Sequence, residues 1–142
     1  MPEKRKLLET WFQRVWNEED ANAVDEMFVD GGAARGLGDR DVVGPEQFKQ
    51  FQTALCGLVS GITVTIDKAI KEEQWLSTIC TLRATSRETG GPVSMSGSVV
   101  VKISDGKILE GYNHWDFMSL WDQLGYLPGD SFAKGLQGQK II

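Results

Sequence analysis

Residues 107–125 read KILEGYNHWDFMSLWDQLG, and this stretch decides the fold. It follows Ser104-Asp105-Gly106-Lys107, the strongest local signal in the chain. Asp-Gly between two alternating segments specifies a two-residue hairpin. The run to about Phe117 is therefore a strand answering Val93–Ile103, and the residues from there to Gly125 form a short helix. Side chains alternate along an extended chain, so Glu110, Tyr112, His114 and Asp116 share one side. Gly111, Asn113, Trp115 and Phe117 share the other. The first set places the only histidine two residues from an aspartate and two from a tyrosine. That grouping suits proton transfer. The polar outer face of an antiparallel sheet would show the same pattern.

Upstream of the hairpin the apolar period is 2. Ile62, Val64 and Ile66 alternate with Thr63, Thr65 and Asp67, and Trp75–Ser86 alternates in the same way. Glu88-Thr89-Gly90-Gly91 turns the chain into Val93–Ile103. Before Gly61 the period is 3.6. Leu7, Leu8, Trp11, Phe12, Val15 and Trp16 form the apolar stripe of a helix over Pro2–Trp16. Asp20 caps a second helix, Ala21–Val29. Gly44-Pro45-Glu46 opens a third, with Phe48, Phe51, Leu55, Leu58 and Val59 inward. Between them, Asp30–Val43 is rich in glycine and charge and has no clear period, so it reads as a loop with at most a short strand. Its glycines do not match a phosphate loop, because no Lys-Ser/Thr follows and no strand precedes. Three helices followed by antiparallel strands predict an α+β domain, a curled sheet with the helices on its concave side.

Composition narrows the function. A chain of 142 residues with 41% hydrophobic and 25% charged content is expected to form a single domain over residues 1–142. The ordered core is expected at about 4–127, and a polar, glycine-bearing tail at 128–142 is expected to lack order unless a partner holds it. A net charge of −5 argues against nucleic acid. The Lys4-Arg5-Lys6 run reads as a solvated helix face. Cys56 and Cys80 are too few for a disulfide framework or metal cluster and read as buried small hydrophobes. No apolar run reaches the length of a membrane span and no signal peptide is visible, so a cytoplasmic protein is expected.

Three short motifs, in this order, carry a resemblance. Gly44-Pro45-Glu46-Gln47-Phe48 with Phe51 is similar to the opening of one family's third helix. Gly97 with Asp105-Gly106-Lys107-Ile108-Leu109-Glu110 is similar to its hairpin. Asp116 with Gln123-Leu124-Gly125 is similar to its closing segment. The chain thus resembles the SnoaL-like polyketide cyclases of the nuclear transport factor 2-like superfamily, over roughly Leu7–Leu127. The resemblance implies the cone-shaped α+β fold, with an apolar pocket that takes a small hydrophobic molecule. It implies that Asp116 acts as acid/base in an intramolecular aldol closure or enolisation, with no metal or organic cofactor. Beside it, His114 or Tyr112 would hydrogen-bond the enolate oxygen, and Trp11, Trp16 or Trp115 would stack on a flat carbonyl substrate. Ser96 and Ser98 stand where the cyclases carry polar partners. Arg35 and Arg40, in a loop expected to cross the pocket mouth, would meet an anionic group. Relatives commonly dimerise, and Val99, Val101 and Ile103 are expected to form the apolar outer face that a second copy covers. The other reading of the same fold is a non-catalytic module that binds a small ligand or only mediates dimerisation.

Overall fold

The N-terminal stripe of large apolar residues sets the first layer. The computed structural model describes residues 2–142; Met1, included in the single-domain expectation, lies outside them. Helix α1, Pro2–Trp11, passes into a π-helical turn over Phe12–Asn17 where a regular helix was expected. The wider turn keeps Trp11, Phe12, Val15 and Trp16 inward together. It also leaves the Val15 carbonyl to be satisfied from outside: the buried Gln52 donates Nε2 to it at 2.9 Å. Helix α2, Ala21–Met27, is capped by Asp20, whose carboxylate accepts from the Asn22 amide at 2.9 Å. Helix α3, Gly44–Leu58, carries Pro45 in its first turn and buries Phe48, Gln52, Leu55 and Cys56.

The strands are β1 (Phe28–Arg35), β2 (Val42–Val43), β3 (Val59–Glu72), β4 (Trp75–Ser86), β5 (Pro92–Ser104) and β6 (Lys107–Trp115). They form one curled, unclosed sheet in the order β2-β1-β6-β5-β4-β3. All neighbours are antiparallel except β1 and β6, which run parallel. The Asp105-Gly106 hairpin forms as expected, with both residues at positive φ, 52° and 71°. Helices α1 to α3 pack on the concave side, and an aromatic cluster joins the layers. Trp11 meets Phe48 edge-on at 5.1 Å and Phe28 at 6.2 Å.

The first part of the segment expected to be a loop, residues 30–35, belongs to β1. Its sequence, Phe-Val-Asp-Gly-Gly-Ala-Ala-Arg, has little β propensity. The reason is space. A Cβ at Gly32 would stand 2.8 Å from the Phe28 ring and 2.9 Å from the Leu109 carbonyl oxygen. Small residues let β1 lie close against β6, and they imitate a loop in the sequence. After β6 the chain forms α4 (Phe117–Gln123) and a short α5 (Ser131–Leu136), so the segment after Leu127 also carries structure, with Ser131 buried.

Candidate functional site

Which side of β6 faces the core follows from its register with β5. Gly97 pairs with Trp115, Val99 with Asn113 and Val101 with Gly111. Val99, Val101 and Ile103 are 3%, 4% and 4% exposed, so they point into the cone. They are not the outer face expected to meet a second copy. Gly111, Asn113 and Trp115 share their side, and the inward face of β6 is the reverse of the one expected to carry chemistry.

An interior cavity results. Strands β1, β5 and β6 supply Phe28, Ala34, Met95, Val99, Val101, Ile108, Gly111, Asn113 and Trp115; helices and loops supply Leu8, Trp11, Phe12, Trp16, Leu37, Phe48, Phe51, Leu55 and Phe117, with Leu82 from β4. Among the described residues Asn113 is the only lining side chain that is not apolar or aromatic, and the lining holds no acid, base or histidine. The room open to the centre of a water-sized body is about 40 Å³, enough for a few waters. A second space of about 240 Å³ shares Leu37, Phe51, Leu55 and Phe117 with it and is completed by Gly38, Ala54, Leu58 and Trp121. The two spaces adjoin at those shared side chains, which stand between them. Phe117 and Trp121, one turn apart on α4, stack at 5.4 Å and 19° and form one wall of the second space.

Trp11, Trp16 and Trp115 line the interior. The Trp115 ring lies on Gly97, where a Cβ would stand 2.6 Å from it. The remaining expected site residues stand elsewhere. Asp116 is exposed. The strand ends at Trp115, and Asp116 caps α4, its carboxylate accepting from the Ser119 amide at 3.0 Å. It borders an outer depression with Met118, Asp122, Leu127 and Phe132 instead of the cone. His114 is exposed on the outer sheet face, opposite Ser98, and Ser96 lies on that face too. Tyr112 is also on the outside, where its hydroxyl accepts from Arg35 Nη1 at 3.0 Å. Arg35 closes β1 and pairs with Asp41 at 3.3 Å, while Arg40 is exposed in the short loop that follows. The loop's contribution to the cavity is Leu37.

The residue missed by sequence reasoning is Asn113. Trp115 and Phe117 on its side of the strand were the available signal, because two large aromatics mark a buried face better than an acid and a histidine mark a site. Both cysteines are buried, as expected. Burial pushes the Cys56 thiol up to about 11, with a smaller contribution from Glu19, and burial raises Cys80 as well. Among the described residues no three His, Cys, Asp or Glu side chains group as metal ligands, and no helix is long and apolar enough to cross a membrane.

Solved structures place this architecture among the ketosteroid isomerase-like and nuclear transport factor 2-like folds. TsrD from Streptomyces laurentii superposes with a TM-score of 0.74 at 18% identity, over 89% of this chain and 97% of that one. A protein assigned to the SnoaL-like polyketide cyclases from Jannaschia sp. CCS1 gives 0.76 at 15% identity, over 89% and 94%. A ketosteroid isomerase-like protein from Catenulispora acidiphila, solved with trimethylamine, gives 0.73 at 18%, over 87% and 95%. The profile of the SnoaL-like polyketide cyclases matches residues 6–124. The chain belongs to that family. Among curated protein sequences none matches it.

Proposed function

We propose that the cone binds a small, flat, predominantly apolar molecule, admitted through the mouth between α3 and α4. The observation that carries this reading is the lining: aromatic and aliphatic side chains with one amide among them. Such a surface gains by covering apolar area, about 25 cal/mol per Å², and fixes orientation through one polar contact. The inner space is smaller than a ring-sized ligand, so Leu37, Phe51 or Phe117 swings toward the mouth when one binds. Calorimetric titration with naphthalene tests this. Saturable binding that Phe117→Ala alters is expected; no heat of binding from a folded protein defeats the reading.

Family membership favours a second reading, cofactor-independent acid/base chemistry of the cyclase or isomerase type on a carbonyl compound in the same cone. Asp116 lies between two cavity residues along the chain, Trp115 and Phe117, and supplies the base when its carboxylate leaves the Ser119 amide and turns from the outer depression toward the cone, with His114 and Tyr112 as its neighbours along the chain. Asp116→Asn is the informative variant. Asparagine caps a helix about as well as aspartate, so turnover lost in a variant of unchanged stability reports on proton transfer, while retained turnover excludes Asp116. We further propose that two copies associate through the outer sheet face.

A further inference from the structure

The cone's one amide has its orientation fixed by a neighbour. Asn113 is half-buried on β6, and its Nδ2 donates to the backbone carbonyl oxygen of Arg35 at 3.1 Å. A carbonyl only accepts, so nitrogen must face β1 and Oδ1 is turned away from it. On the cavity side Gly111 presents no side chain; a Cβ there would stand 3.7 Å from Nδ2 and 3.5 Å from Val101. Among the described residues no donor reaches Oδ1, yet it is not sealed from solvent-sized contact. No other lining residue carries a side-chain oxygen. Besides the Met95 sulfur, a weak acceptor, the other polar side-chain atoms of the lining are the indole N–H groups of Trp11, Trp16 and Trp115, which only donate.

Among the described residues, the side chains of the interior therefore offer one oxygen acceptor, beside the weakly accepting Met95 thioether. A ligand that fills the cone displaces water from Oδ1. If it brings no donor, it leaves that oxygen desolvated and unpaired, which costs more than the bond itself contributes. Resting on the binding reading above, we propose that Asn113 Oδ1 takes the hydroxyl hydrogen of the ligand. The cone then selects flat apolar molecules bearing a phenolic or enolic O–H over hydrocarbons and over molecules whose oxygen can only accept.

Calorimetry on the full chain at pH 7 with four probes tests this: naphthalene, 2-methylnaphthalene, 2-naphthaldehyde and 2-naphthol, which is neutral at that pH. The expected result is that 2-naphthol binds about 3- to 10-fold more tightly than its methyl isostere and than the aldehyde, the range of one neutral hydrogen bond. Asn113→Leu is expected to remove the preference and leave naphthalene binding equal or stronger. Because that variant disturbs the contact with Arg35 and can fail to fold, the wild-type series decides alone. Equal affinities for all four, or an aldehyde that binds most tightly, overturn the donor assignment while leaving cavity binding intact. No binding of any probe overturns both.

Discussion

The carboxylate of Asp116 accepts the Ser119 amide, so α4 is the first thing to respond when it is removed. Asp116→Ala is expected to lose about 1 kcal/mol, the usual cost of an N-cap, while Asp116→Asn stays within a few tenths of wild type; urea denaturation of both variants checks this. The alternation and the family motif fixed where Asp116 lies along the chain. They did not fix which way the face points, because that depends on pairing with β5 and on the strand ending one residue earlier. Asp20 is a second cap, and here charge adds to the geometry. The Arg14 guanidinium donates to its carboxylate at 2.8 Å and holds Asp20 below the ordinary value near 3.8. A depressed folded value means the contribution to stability is complete above the unfolded value and fades as pH falls through the folded one. Thermal melts from pH 2 to 7 are therefore expected to show Asp20→Asn less stable at neutral pH, the gap closing below about pH 4. The thiols give a check on burial: with Cys56 pushed up to about 11 and Cys80 fully enclosed, neither is expected to react with a thiol reagent at pH 8 until the protein unfolds.

At the scale of elements, the helices and the long strands were legible because their apolar periods are long and their caps and turns sit at the boundaries. β1 was not, because its task is to approach β6 closely. The clearest case is Gly36, just beyond its end. It holds φ at +86°, and a Cβ there would stand 1.6 Å from the Asn113 carbonyl oxygen. No side chain relieves that contact, since the obstacle is backbone. Gly36→Ala is expected to cost about 3 kcal/mol by the combined strain and overlap. It should also free the Leu37 side of the mouth. Gly38→Ala, at φ +143° with nothing within 4 Å, carries backbone strain without the overlap and serves as the control for the overlap. Denaturation curves of the two variants compare them directly. Gly97 is hemmed in by both kinds of neighbour: a Cβ there would stand 2.6 Å from the Trp115 ring and 2.8 Å from the His114 carbonyl oxygen, and the second is backbone.

For the whole molecule, the order of segments, three helices and then a meander closed by an Asp-Gly hairpin, was enough to identify the cone, since few architectures accommodate that order. The inside of the cone was less legible. Its polar point is a lone asparagine beside a glycine, and neither carries a periodic or catalytic signature. The outside was misread for a related reason: β5 alternates valines against serines, and both Val99 and Val100 satisfy a β pattern. The structure assigns the outward set. Ile70 is 72% exposed and Ile79 51%, large values for isoleucine. Ile70 pairs with Ser77, Ser77 with Val100 and Val100 with Tyr112, so one row crosses the sheet, with Ile79 and Ser98 in the row beside it. The small serines and threonine around these residues leave the isoleucines proud of a flat face. The register partner of Ile79 is the exposed Lys68, so the two isoleucines are apolar points on a face that also carries charge, and a matching copy is the partner that would cover them. Sedimentation equilibrium at tens of micromolar is expected to give a dimer. Ile79→Lys sets a second lysine opposite Lys68 on the outer face without touching the core, so it is expected to give a monomer whose far-UV circular dichroism is unchanged. A wild-type monomer at 100 μM, or an Ile79→Lys dimer as tight as wild type, would remove this face from consideration.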